Sequence, residues 1–132
     1  MSGAVRAANV RLKRAYAPAA AEDGARILVD RLWPRGVTRA DAKLDEWMKD
    51  LAPSAALRTW FGHDPARWAE FRRRYRAELG GAKEHLSELR RRARNGPVTL
   101  VYAAKDEEHN DAVVLRNVLL GRAALPKEQD HD

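Results

Sequence analysis

Three short stretches of this chain concentrate side chains that could hold an anion or move a proton. The first is Ile27-Leu28-Val29-Asp30-Arg31-Leu32-Trp33-Pro34-Arg35-Gly36, where an apolar run of β-formers passes straight into an acid, two arginines and a tryptophan. Arginine presents a planar fork of donors that meets phosphate or carboxylate two bonds at a time. The second is Phe61-Gly62-His63-Asp64-Pro65, where a histidine beside a carboxylate has the composition of a general-base pair. The third, Lys105-Asp106-Glu107-Glu108-His109-Asn110, adds a cation, a second histidine and an amide. Arg31, Arg35 and Lys105 are therefore candidate anion ligands, and Asp30 and Asn110 candidate hydrogen-bonding partners. Tyr16 and Trp33 are a candidate wall, and His63 and His109 the groups able to titrate near neutral pH.

Each candidate has a structural competitor. Asp64 before a proline has the pattern of a helix N-cap, and Asp106 has the same type at the start of a helical stretch. Asp30 paired with a neighbouring arginine would hold a loop without any ligand. The four histidines, at 63, 85, 109 and 131, form no i, i+4 pair and no HExxH, so no metal site is expected. The serines at 2, 54 and 87 lie outside any GxSxG setting. With no GxGxxG, a nicotinamide or flavin site is disfavoured, and no cofactor is expected.

The elements that position these residues read from pattern. Between Asn9 and Tyr16, Val10 and Leu12 alternate with bases, the period of a strand with one dry face. Ala17 to Gly24 reads as a loop, and Ala25 to Leu32 as a second strand whose continuous apolar run suits burial on both faces. Thr38-Arg39-Ala40-Asp41 has the form of a helix start. Leu44, Trp47, Met48 and Leu51 follow at helical spacing, predicting a helix that Pro53 stops. Ser54 predicts a cap for a short helix ended by Gly62. Trp68, Phe71, Tyr75 and Leu79 predict a longer helix after Asp64-Pro65, and Leu86, Leu89 and Ala93 another. Val98 to Tyr102 is the clearest strand, and Asp106 is expected to cap a final, nearly all-apolar helix that Gly121 ends.

This order predicts a small α/β sandwich with a short, mostly parallel sheet flanked by helices. In such sheets ligands bind beyond the carboxyl ends of the strands. Those ends are Tyr16, Asp30 to Arg35, and Lys105 to Asn110, the same residues chosen above on chemistry.

Bulk properties set the class. At 132 residues, 45% of them hydrophobic, the chain suits a single domain with a core of its own, here 1–132 with frayed ends at 1–8 and 122–132. The absence of cysteine removes disulfides and thiolate chemistry and fits a reducing compartment. No run approaches the roughly 18 apolar residues of a membrane helix, and the first residues lack a secretory h-region. A cytoplasmic, non-membrane protein is expected. A net charge of +6 favours anionic partners. The runs Arg72 to Arg76 and Arg90 to Arg94 raise nucleic acid as one such partner. Glu70 and Glu88, however, lie four residues before Arg74 and Arg92, the spacing of a salt-bridged helix face.

The stretches "VDRLWPRG", "LAPSAALRTWFGHDPARWAEFRRRYRAEL" and "VTLVYAAKDEEHNDAVVL" together resemble the YeaO-like family of small bacterial proteins, over Val10 to about Leu120. The resemblance implies an α/β fold in a bacterial cytosolic protein and no established activity or cofactor. A longer branch of the same superfamily carries a cysteine at the end of its last strand and Cys-His-Arg after it. This chain has Tyr102 and Asn110 in that neighbourhood, so that branch's thiol chemistry does not carry over.

The leading expectation is a small phosphate- or carboxylate-bearing ligand at the sheet's carboxyl edge, either simply bound or subjected to hydrolase- or lyase-type chemistry. The competing expectations are a nucleic-acid accessory protein using the arginine-rich helices, and a partner-binding module in which the same residues form a buried network.

Overall fold

Val98–Tyr102 is buried along its whole length because it has a strand on each side. The computed structural model describes residues 5–122. Its sheet consists of β1 (Val10–Arg14), β2 (Ala25–Leu28), β3 (Glu46–Trp47) and β4 (Val98–Tyr102) in the order β1-β4-β2-β3, and every pairing is parallel. The register sets Arg14 beside Tyr102 and Leu28 beside Val101. Pairing then runs past the strands, with the Ala15 amide donating to the Tyr102 carbonyl (2.6 Å) and the Val29 amide to Val101 (3.1 Å). All carboxyl ends therefore open onto one edge.

The helices are α1 (Arg39–Ala42), α2 (Ala55–Phe61), α3 (Trp68–Leu79), α4 (Lys83–Asn95) and α5 (Asp111–Leu119). The alternation of the strands divides the core in two. Ile27, Val29, Leu100 and Tyr102 meet the buried stripes of α3, α4 and α5: Phe71, Tyr75 and Leu79, then Leu86 and Leu89, then Ala112, Leu115 and Leu119. Leu28 and Val101 face the other way and are covered by Trp33, Leu44 and Trp47. Arg26 shares that second face and donates to the Ala42 carbonyl of α1 (3.0 Å). No described helix is long and apolar enough to cross a membrane.

Several terminators act as the sequence implies. Ser54 accepts from the Leu57 amide (3.1 Å) and Gly62 closes α2 in the left-handed conformation. Asp64 accepts from the Ala66 amide (3.0 Å), in a turn that leads directly into α3.

Two expectations are corrected. The helix from Thr38 to Leu51 lasts one turn. Thr38 does cap it, accepting from the Asp41 amide (3.0 Å), but Lys43 turns left-handed (φ 48°, ψ 47°). Asp45 then clamps the chain against β2, its carboxylate accepting from the Arg26 amide (2.7 Å) and its own amide donating to the Arg26 carbonyl (2.8 Å). The next two residues become the edge strand β3, and the Met48 amide donates to the Leu28 carbonyl (2.9 Å), so half-buried Trp47 and buried Met48 are placed by pairing and not by helical winding. The final helix also starts later than expected. Asp106 closes a turn by accepting from the Glu108 and His109 amides (2.9 and 3.0 Å), and Asn110 is the true cap, accepting from Val113 (3.0 Å). Of the ends expected to fray, 1–4 and 123–132 lie outside the described residues, whereas Ala7–Asn9 forms a 3-10 turn joined to β1.

Candidate functional site

Beyond the carboxyl ends of the strands lies a cavity of about 680 Å³. Its wall combines the β2 extension, the loop after β4, one side of α2 and the start of α5. Eight of the nine sequence candidates line it: Tyr16, Asp30, Arg31, Trp33, Arg35, His63, Lys105 and Asn110. Phe61 and Phe71, stacked at 4.3 Å between ring centroids, supply an apolar side.

The loop from Asp30 to Val37 is held by bonds that use much of its polarity. The Trp33 indole donates to the Val37 carbonyl (2.6 Å), and the Trp47 indole to the Asp30 carbonyl (2.7 Å). The Tyr16 hydroxyl donates to the Arg35 carbonyl (3.0 Å). Trp33 and Tyr16 thus shape the wall, with their polar atoms already engaged. On the facing strand, Arg14 donates to the Ala104 and Ala103 carbonyls (2.9 and 3.3 Å), fixing the loop that carries Lys105.

The cations differ in their attachment. Arg31 donates through Nε to the Pro53 carbonyl (3.1 Å), which leaves its terminal nitrogens free of any protein bond among the described residues. Arg35, Arg58 and Lys105 are exposed and line the cavity, and among the described residues their side chains have no hydrogen bond or ion pair.

The two histidines separate. His63 faces the cavity in a left-handed backbone conformation (φ 58°), uncommon for a residue with a Cβ. It does not share the Asp64 carboxylate, which is spent on capping. His109 lies outside the cavity lining, its edge against Trp68 at 5.1 Å and its Nδ1 2.8 Å from Asp106. The Glu108 amide, the His109 ring and the His109 amide hold the Asp106 carboxyl below the ordinary aspartate range. Asn110 reaches the cavity, yet its oxygen caps α5 and its amide donates to the Asp106 carbonyl (2.9 Å).

Asp111, absent from the sequence candidates, lines the same cavity as Asp30. Asp30 accepts from the Ala103 amide (2.8 Å), and Asp111 from the Ala112 amide (2.9 Å). Burial and then the nearby carboxyl of Asp30 push the Asp111 carboxyl well above the ordinary aspartate range. Among the described residues no group of three or more His, Asp or Glu side chains is placed to hold a metal ion.

A family model described as "Inactive DUF488-N3 subclade" matches residues 9–132. The uncharacterized protein YeaO of Escherichia coli K12 is 45% identical over 111 residues, covering 84% of this chain and 96% of that protein. The chain belongs to the YeaO-like family. The uncharacterized protein Rv3073c of Mycobacterium tuberculosis is 42% identical over 118 residues, covering 89% of this chain and 99% of that protein. The uncharacterized protein Mb3100c of Mycobacterium bovis matches to the same extent. No solved structure matches.

In this YeaO-like fold two charged lining residues, Arg58 and Asp111, escaped the sequence reading, for different reasons. Arg58 is three residues before Phe61 on α2, so the two share a helix face; the Phe61 motif was the signal that could have found it. Asp111 was hidden because a helix starting at Asp106 would bury position 111 within its second turn, whereas the real start makes it the first residue.

Proposed function

We propose that this protein binds a small phosphate- or carboxylate-bearing ligand in the cavity at the carboxyl edge of its sheet. The observation that carries this reading is the set Arg35, Arg58 and Lys105, three cations lining one cavity without a protein partner among the described residues. Charges whose only role is structural are usually paired, and guanidinium groups facing a concave, partly aromatic space are suited to an oxyanion. Arg31, anchored by Nε to Pro53, keeps donors available for the same anion. His63 is the titratable ring at the same wall.

Binding without turnover is the form we favour over hydrolase- or lyase-type chemistry. The description of the matching family includes the word "inactive". In the His109–Asp106 pair, Asp106 lines the cavity but the histidine packs on Trp68 outside the lining. Nucleic-acid binding by the helices has less support, because Arg73 and Arg74 are bonded to Glu70, and Arg91 and Arg92 to Glu88.

A thermal-shift screen of the full chain against phosphate, sulfate, sugar phosphates, nucleotides and carboxylates tests the reading. A ligand at a hundred times its Kd stabilises the fold by about 2.7 kcal/mol. The expected result is a rise in Tm with one class of anion that disappears in Arg35→Ala and Arg58→Ala. A flat response to every anion rejects it.

A further inference from the structure

The cavity at the carboxyl edge is apolar as well as cationic, and a bare oxyanion would use only its cations. The exposed large hydrophobic side chains among the described residues are Tyr16 (47%) and Leu32 (57%), and both line this one cavity. Single exposed apolar residues are ordinary, but their convergence on one concave place marks where something apolar binds. Tyr16 is held in position, its hydroxyl donating to the Arg35 carbonyl (3.0 Å) and the Arg14 guanidinium lying 5.0 Å from its ring centre. Trp33 is fixed by its bond to the Val37 carbonyl and by Trp47, edge-on at 5.5 Å. The aromatic wall is therefore rigid before any ligand arrives, which reduces the ordering cost of binding.

Building on the anion reading, we propose that the ligand carries an apolar carbon group beside its charge, so that it belongs to the alkyl- or aryl-bearing phosphates and carboxylates. Apolar surface adjoins the cations along the wall. Arg35 lies three residues after Leu32 and its carbonyl holds Tyr16, while Arg58 shares a face of α2 with Phe61, which stacks on Phe71. An anion held by Arg35 and Arg58 thus has apolar side chains within reach of its carbon skeleton. The acids of the lining are engaged by backbone amides: Asp30 accepts from Ala103, Asp106 from Glu108 and His109, and Asp111 from Ala112. None of them is bonded to Arg35, Arg58 or Lys105 among the described residues. The volume of about 680 Å³ falls within the roughly 300–1,000 Å³ of small-molecule sites and exceeds the room a bare phosphate fills. The concave shape favours a small molecule over a membrane surface, which an apolar patch meets on a flat or convex face.

Calorimetric titration of the full chain at neutral pH with inorganic phosphate, glycerol 3-phosphate, propyl phosphate and hexyl phosphate tests the proposal. All four are expected to bind. Propyl phosphate should bind more tightly than glycerol 3-phosphate, whose chain has the same length but carries hydroxyls. Hexyl phosphate should exceed propyl phosphate by about tenfold, three methylenes at roughly half the worth of full burial. Leu32→Ser alters an exposed side chain and should cut that ratio to about threefold, whereas Leu32→Met should keep it. Equal affinity for the propyl and hexyl compounds, or a preference for glycerol 3-phosphate over propyl phosphate, overturns the apolar reading and leaves the anion site standing. A hexyl preference unchanged in Leu32→Ser places the chain elsewhere and overturns it too. Cosedimentation with phosphatidylserine vesicles, lost in Leu32→Ser and without any preference for the hexyl chain, assigns the patch to a membrane surface and overturns it as well. Failure of all four phosphates, and of hexanoate, rejects the anion reading and this one with it.

Discussion

Asp30, just past the end of β2, and Asp111, the first residue of α5, line the same wall of the cavity, near enough for the charge of Asp30 to raise the Asp111 carboxyl. Together with burial, that proximity makes stability depend on pH. The unfolded Asp111 ionises around its ordinary value of 3.8, whereas the folded group holds its proton to a much higher pH. Between those values the folded state binds more protons, so stability is fullest below 3.8 and declines as pH rises through the folded value. Asp111→Asn should match the parent at about pH 4 and exceed it in Tm by a growing margin towards about pH 8. Melting curves across that range measure it. A variant less stable than the parent at neutral pH would contradict a raised Asp111 carboxyl.

The three exposed cations of the cavity should behave differently from the anchored one. Arg35→Ala, Arg58→Ala and Lys105→Ala remove exposed side chains that have no hydrogen bond or ion pair among the described residues, and each should change stability by no more than about 0.5 kcal/mol. Each should weaken anion binding. Arg31→Ala also loses the bond to the Pro53 carbonyl, so it should cost about 1 kcal/mol of stability in addition to affinity. Urea unfolding beside calorimetric titration gives both quantities for each variant. A large stability loss in the first three would favour a structural network in place of a binding site.

A different acid supports the opposite end of the sheet. Asp23, 3% exposed, accepts from Arg26 at 2.7 Å and from Lys13 at 2.9 Å. Burial works to raise its carboxyl, but the Lys13 ammonium, the Ala20 amide and the Arg26 guanidinium outweigh it and hold the group below its ordinary value. This contribution is complete above 3.8 and is lost as pH falls through the folded value. Asp23→Ala leaves Arg26 buried without its carboxylate and should cost about 3–5 kcal/mol. Anion affinity of the folded fraction should be unchanged, because Asp23 lies at the amino ends of the strands. Chemical denaturation with titration of the folded protein checks both halves.

The arginine-rich helices give a prediction of absence. Glu70 is held at about 2 by Arg73 and Arg74, and Glu88 at about 2 by Arg91 and Arg92, so these arginines already have carboxylate partners. Fluorescence anisotropy with single-stranded RNA should show weak binding and no steep fall between low and physiological salt. A linear loss of log K with log salt at a slope of several phosphates would return nucleic acid to the leading place.

How far the site could be read from the sequence depended on which interactions are local. The strand ends were legible because continuous apolar runs such as Ile27-Leu28-Val29 and Val98 to Tyr102 mark buried parallel strands, and the polar residues after them fall on one edge. Ser54, Asp64 and Thr38 were legible as caps because each acts within a few residues. The fate of Leu44 to Leu51 was not, since it is decided by Asp45 gripping the backbone of Arg26 on another strand. The start of α5 was ambiguous because Asp106 and Asn110 both carry capping side chains, and only the turn closed by Asp106 separates them. That four-residue error hid Asp111. Its proximity to Asp30 is a long-range relationship with no periodic signature.

The central claim is that Arg35 and Arg58 hold an anionic ligand in the cavity at the carboxyl edge. The most direct measurement is calorimetric titration of the full chain, and of the Arg35→Ala/Arg58→Ala double variant, with inorganic phosphate, glycerol 3-phosphate and glycerate. The account predicts saturable binding of at least one of these by the parent and none by the variant, with both proteins equally folded. Binding of none by the parent, or equal binding by both proteins, would contradict it.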